Sequence, residues 1–247
     1  MLNKELEKKL NEELKTESFQ DYAPNGLQVE GKREVNRIVT GVTACQALLD
    51  RAVEQNADAV LVHHGYFWKN EPVVVCDMKR QRLKTLLTHD INLYAYHLPL
   101  DAHPSLGNNA QLADLLEMKT IGMIDPVVPY GEFEVPADAI HVKEILEKKL
   151  QRPVLHCGDS GPVYIKRIAW CTGGGQGYLQ KAAEFGVDAF ITGEVSEQTI
   201  HIAREMGVHF YAAGHHATER YGIQALGAWL AKRYLLEVIF IDVLNPA

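Results

Sequence analysis

The chain has 247 residues, enough for one or two domains at roughly 150 residues each and for a core that needs no staples. Hydrophobic residues make up 47% and charged residues 23%, and 25 Lys and Arg against 32 Asp and Glu leave a net charge of −7. That sign argues against a sequence-independent grip on nucleic acid, which rests on cations neutralising phosphates, yet allows a small anion at one local positive site. Four cysteines, Cys45, Cys76, Cys157 and Cys171, form no CxxC pair, so neither a disulfide framework nor a thiolate zinc site is expected.

The opening MLNKELEKKLNEELK reads as a charged helix rather than a signal peptide. No apolar run approaches the roughly 18 residues of a membrane span, so a soluble, cytoplasmic protein is expected. Residues 21–28 (DYAPNGLQ) form a polar turn that lines a pocket, through Asn25, or caps a hairpin. Periodicity then predicts a strand over 37–42, a helix over 44–55 and a buried strand over 58–62. A helix at 78–89, a strand at 91–96, a loop at 97–107 and a helix at 108–117 capped by Asn108 follow. From 124 to 163 prolines punctuate the chain around one helix at 138–150, after which the earlier alternation resumes. The fold class is therefore α/β with largely parallel pairing. It divides into a first half (1–124), a Pro-rich connecting segment (125–165) and a second half (166–247).

The second half repeats the first. At an offset of 130, eight of the 23 pairs from Arg37/Arg167 to Ala59/Ala189 are identical, including Ile38/Ile168, Leu49/Leu179 and Asp58/Asp188. The next strands, LYA at 93–95 and FYA at 210–212, correspond at an offset of 117. Such a long period excludes a solenoid and indicates an internally duplicated α/β unit. Equivalent loops of two such units can build one shared site.

Three clusters sit just beyond predicted strand ends, where open α/β sheets place ligands. They are His63-His64-Gly65, His97 to His103 with Asp101 inside it, and Gly214-His215-His216 leading to Glu219. Adjacent His63 and His64 alternate faces in regular β structure, so both can point inward only if the strand ends there. His215 and Glu219, four residues apart, share one face of a helical turn, which turns His216 elsewhere. Imidazole and carboxylate without thiolate suits Zn, Mn, Fe, Co or Ni. Five ligands (His63, His64, Asp101, His215 and Glu219) exceed what one tetrahedral ion needs, so two divalent ions sharing a bridging carboxylate are expected. The two carboxylates cannot balance two such ions, which makes the site a local trap for anions and lowers the pKa of water.

Other candidates surround this set. Gly173, Gly174 and Gly175 open a helix, where free N–H groups can face an anion, although the turn lacks the Lys-Ser/Thr ending of a P-loop. Glu194 occupies the repeat position of His64 and can face the site as a supporting acid. His97, sharing a short loop with Asp101, is either a proton carrier or a hydrogen-bonded core residue.

The segments DYAPNGLQVEG (21–31), VHHGYFWK (62–69), HLPLDAHPSLGNNAQLA (97–113) and TGEVSEQTIHIAREMGVHFYAAGHHATER (192–220) resemble the Nif-three-like family in its bacterial YbgI type. Its members are also called GTP cyclohydrolase type-two homologs. The resemblance covers essentially the whole chain. It implies a duplicated α/β fold, a dinuclear metal centre and a ring-shaped homohexamer of dimers with its metals facing an internal cavity. By matching position it gives one ion to His64, Asp101 and Glu219, and the other to His63, His215 and a bridging Glu219. The family label implies GTP ring opening, but a fold does not carry an activity by itself. The expected function is a metal-dependent hydrolase of a nucleotide or related phosphorylated small molecule, with His97 and Glu219 catalytic. Phosphoester cleavage, damaged-nucleotide hydrolysis and GTP cyclohydrolase-type C–N cleavage all fit. The alternatives are a non-catalytic metal-binding, scaffold or regulatory interaction protein, or a DNA-associated ring with a basic lining.

Overall fold

The computed structural model describes residues 1–247. The chain begins with α1 (Asn3–Leu14), β1 (Gly26–Val29), β2 (Arg37–Thr43), α2 (Gln46–Glu54) and β3 (Ala59–His64). Next come α3 (Asp77–Thr88), β4 (Asn92–Ala95), the short α4 (Leu98–Ala102) and α5 (Asn108–Leu115). Then follow β5 (Lys119–Asp125), β6 (Val128–Asp138), α6 (Ala139–Leu150), β7 (Leu155–Cys157) and β8 (Tyr164–Cys171). The last elements are α7 (Leu179–Phe185), β9 (Ala189–Thr192), α8 (Glu197–Met206), β10 (His209–Ala212), α9 (His215–Tyr234) and β11 (Glu237–Phe240). Two compact units result: residues 1–107 with 222–243, and 108–221 with 244–247. No helix is long and apolar enough to cross a membrane.

The first unit holds a five-stranded sheet ordered β1-β4-β3-β2-β11, parallel except for β1 at its edge. Its strands read as continuous apolar runs because both faces are covered. Ile38, Val42, Ala59, Leu61, Tyr94 and Tyr96 pack with Leu6, Leu10 and Leu14 of α1 and with Ile223, Leu226 and Leu230 of α9. Their neighbours Val39, Val60, Val62, Leu93 and Ala95 point the opposite way, onto Leu48, Leu49 and Ala52 of α2 and Leu86 of α3. This alternation is the two-residue period of a strand, and the helices answer it with apolar positions three or four apart.

The second unit holds a six-stranded sheet ordered β5-β6-β8-β9-β10-β7, in which β8, β9 and β10 run parallel. Trp170, Ile168, Ala189, Ile191 and Tyr211 form its core with Val142, Leu146 and Leu150 of α6. The duplication is visible in the register itself. Ile38 pairs with Ala59 and Ala59 with Asn92; Ile168 pairs with Ala189 and Ala189 with His209. These are the offsets of 130 and 117 read from the sequence. An aspartate clasp recurs too. Asp58 Oδ2 accepts from the amides of Asn36 and Arg37 at 3.0 Å, and Asp188 Oδ2 from those of Lys166 and Arg167 at 2.8 Å.

Three features differ from the sequence expectations. Residues 97–107 are not all loop, because α4 forms with Pro99 in its first turn, where proline lacks no needed N–H and pre-sets φ. The polar turn at 21–28 runs into an edge strand, β1, antiparallel to β4. The Pro-rich segment also builds sheet: β6 and β7 pair antiparallel with β8 and β10, on either side of α6, whose cap is Asp138. β6 tolerates Pro136 because its register with β8 breaks between Glu132 and Ala137, a bulge that asks for no ladder hydrogen bond there.

Removing the second clasp by Asp188→Ala leaves two main-chain amides without their acceptor. Urea unfolding is expected to show a loss of about 1–3 kcal/mol, and an unchanged midpoint would refute the clasp's role.

Candidate metal centre

In the first unit the site grows from the carboxyl ends of β3 and β4. Pairing of β3 with β4 ends at Val62 and Ala95, so His63 and His64 lie past the last paired residues on that side. Their rings sit 4.5 Å apart, and the His97 ring is 5.2 Å from that of His63. One nitrogen from each of His63, His64 and His97 lies within 4.8 Å of the others, so the two adjacent histidines converge as the strand-end argument requires.

Hydrogen bonds orient each ring. His63 Nδ1 lies 2.8 Å from the Tyr96 carbonyl, which can only accept, so Nδ1 carries a proton and Nε2 is the nitrogen left for another partner. That Nε2 faces Asp101 Oδ1 at 3.4 Å. A lone pair against a carboxylate oxygen repels unless a cation lies between them. The pair is secluded, with His63 1% and Asp101 7% exposed, so water cannot screen it and a proton or metal ion must. His64 Nδ1 pairs with Thr43 Oγ1 at 3.2 Å.

His97 is held by a clamp. Its Nδ1 meets Asp21 Oδ1 at 2.8 Å, while Asp21 Oδ2 accepts from the Leu98 amide and from Asn25 Nδ2. Asn25 Oδ1 in turn accepts from the His97 amide at 2.8 Å. Asn25 therefore engages both ends of its amide within the unit, fixing the loop that carries His97. Trp68 meets the His97 ring edge-on at 4.9 Å. Burial opposes ionisation of Asp21, but the hydrogen bonds from His97, Asn25 and Leu98 outweigh it and hold its pKa at about 2.

In the second unit, β10 ends at Ala212 and α9 begins at His215. His215 Nε2 lies 3.2 Å from Glu219 Oε2, and its Nδ1 2.7 Å from Glu194 Oε1. Burial disfavours an imidazolium here, yet Glu219 and Glu194 outweigh it and raise the His215 pKa to about 9. Glu194, the repeat partner of His64, thus orients His215 rather than standing apart from it. Glu219 is 2% exposed. It lies so close to Gly173 (φ +65) that any Cβ there would fall on its Oε1. The glycine turn is built for this approach. The Gly173 amide donates to Thr218 Oγ1 and the Gly175 amide to Thr192 Oγ1, so both serve the fold. Gly174 lies next to Glu194, and His216 joins none of the metal-capable groups.

Reading residues by type missed Asp21, Thr43 and the Tyr96 carbonyl. Asp21 stands four residues before Asn25 in the same polar turn, a spacing that could have joined the two. A main-chain carbonyl leaves no such trace.

Together these features define a class: an internally duplicated α/β protein whose strand ends bear buried His, Asp and Glu groups that could hold metal ions. Comparison with known proteins carries this further. The family described as Duf34/NIF3 (NGG1p interacting factor 3) matches residues 1–246. A Yersinia pestis protein named GTP cyclohydrolase 1 type 2 homolog is 73% identical over the full length of both chains. Among solved structures, one described as protein ybgI, of unknown function, is 63% identical and superposes with a TM-score of 0.99, covering both chains completely. TTHA1606 from Thermus thermophilus is 34% identical with a TM-score of 0.93, again over both whole chains. The chain belongs to the Duf34/NIF3 family.

The Asp21 clamp gives stability a defined pH dependence. Its folded pKa of about 2 lies below the ordinary 3.8, so its contribution is complete above that value and is lost as pH falls from about 4 to about 2. Asp21→Ala is expected to cost about 2 kcal/mol at pH 7. Urea unfolding of both proteins should converge towards pH 2; a gap independent of pH would refute the assignment.

Proposed function

We propose that the chain is a dinuclear metal-dependent hydrolase of a nucleotide or related phosphorylated small molecule, acting in the cytoplasm as a homohexameric ring. In this reading His63, His64, Asp101, His215 and Glu219 would hold the divalent ions. The observation that carries it is the buried convergence of donors at the strand ends, with His63 Nδ1 tied to a carbonyl and Nε2 3.4 Å from Asp101 Oδ1. His215, set between Glu194 and Glu219, supports it from the second unit. The donor set of imidazole and carboxylate, with no thiolate, fits Zn, Mn, Fe, Co or Ni. Neither half has enough of these donors for two ions, and the repeat places Asp101 and Glu219 at nearly equivalent positions, so each half supplies one carboxylate.

When bound, two divalent ions supply a positive field for a phosphate-bearing substrate and a lowered pKa for water. The chain's own residues do the rest. Glu194 and the Tyr96 carbonyl hold the His215 and His63 rings in place, as supporting partners do at metal sites. His97, anchored at Nδ1 by Asp21, keeps Nε2 to carry a proton to the leaving group. Trp68 and Tyr22 flank the His97 ring and limit its access to water. The name shared by the relatives, GTP cyclohydrolase 1 type 2 homolog, favours a purine nucleotide as one member of the substrate class.

Protein loaded with Mn or Zn is expected to turn over at least one member of a nucleotide panel, and Glu219→Gln to abolish that turnover with an unchanged far-UV circular dichroism spectrum. Equal background rates for both proteins across the panel would overturn the reading. Ions that bind the folded chain in preference to the unfolded one stabilise it, so a chelator should lower the thermal midpoint by several degrees. Equal midpoints with and without chelator would remove the ions' structural part.

A further inference from the structure

We propose that Arg152 forms a phosphate subsite beside the start of α9, occupied in the resting chain by the tail segment 244–247; this rests on the hydrolase reading above. The second unit contains a cavity of about 590 Å³ lined by Arg152, Pro153, Leu155, Glu194, Ala212 and Ala247. That size lies within the roughly 300–1,000 Å³ of small-molecule pockets. One of its walls, Glu194, is the residue that holds His215, so the cavity abuts a side chain assigned to the metals.

Arg152 is the cation of this cavity. Arg37, Arg167 and Arg204 each pair with a side-chain carboxylate, from Glu237, Glu132 and Asp159 respectively. Arg152 pairs with no side-chain carboxylate. Its Nε donates to the Pro153 carbonyl at 3.3 Å and its Nη1 to the Ala247 main-chain oxygen at 3.0 Å, and a guanidinium has five N–H groups to satisfy. The fold makes room for it. Gly214 has φ +100, and any side chain there would collide with the guanidinium, so the cation lies flat on the backbone one residue before His215.

The Ala247 oxygen marks where an anionic oxygen would sit. It accepts from Arg152 Nη1 at 3.0 Å and also from the His216 amide in the first turn of α9 at 3.3 Å. The segment that delivers it has no regular structure, and Leu244 is 83% exposed. A ligand phosphate offers more acceptors and more charge to the same two donors, in the bidentate geometry that arginine favours. Glu194, the carboxylate of the cavity wall, directs its two oxygens at His215 Nδ1 and Gln176 Nε2. The tail thus acts as a competitor that the substrate phosphate displaces.

The test measures inorganic phosphate binding by calorimetry to metal-loaded full-length protein, to Arg152→Gln, to Arg152→Lys and to a variant lacking 245–247. Elemental analysis records the metal content of each, and thermal midpoints confirm folding. Arg152→Gln is expected to weaken phosphate binding about 10-fold or more, the usual weight of charge-assisted hydrogen bonds. Arg152→Lys should recover part of the loss, and the shortened chain should bind about 3-fold or more tightly, one extra competing contact having been removed. Guanosine, which has no phosphate, should be bound alike by wild type and Arg152→Gln. Equal phosphate affinity in wild type and Arg152→Gln overturns the subsite, and unchanged affinity in the shortened chain overturns the competition. If wild type holds no metal and Arg152→Gln still loses phosphate, the subsite stands and the hydrolase reading fails.

Discussion

An imidazole pinned on its outer nitrogen and facing a carboxylate with its inner one is the contact on which this protein turns. At His63 the Tyr96 carbonyl fixes a proton on Nδ1 and turns Nε2 to within 3.4 Å of Asp101. At His215 carboxylates stand on both sides. In water such arrangements would relax by rotation and hydration. Here the strand ends, the first turn of α9 and the packed surroundings prevent rotation, so the electrostatic demand has to be met by a cation. The scaffold therefore holds imidazoles and carboxylates in buried apposition that a cation satisfies, and at His215 the two carboxylates favour that cation.

The duplicated sheet explains how one small unit supplies so many polar side chains without losing its core. In both units the parallel strands bury two faces along their length and expose chemistry at their carboxyl ends. Two copies double the number of such ends. The copies then use them differently: the first brings histidines directly off β3, the second sets His215 and Glu219 one helical turn apart on α9. The first relies on the end of pairing to turn two neighbours the same way, and the second on helical geometry.

Much of this was legible in the sequence, for reasons that can be named. The apolar runs of β2, β3 and β4, the amphipathic spacing of α2 and the repeated Arg-Ile and Asp-Ala pairs carry period and register directly, and the structure follows them. The convergence of His63 and His64 could be argued from Gly65 and the end of the strand. Edge strands are harder to read, because β1, β5 and β7 are short or half-exposed and lack a continuous apolar signal, and β11 is only four residues long. Proline misled at β6 and α4, where a bulge and a first helical turn make it harmless. Around the site, Asp21 and the Tyr96 carbonyl escaped notice because their roles depend on partners 76 and 33 residues away. The glycine turn lets Glu219 approach the backbone at Gly173.

The paired aspartates separate what the two halves share from what they do not. Asp58 and Asp188 grip the same two amides in their respective sheets, whereas the matched positions 64 and 194 have diverged to histidine and glutamate. The clasp that locks strand alignment is thus common to both halves, whereas the chemistry at their rims is not. One frame carries two different sets of tips.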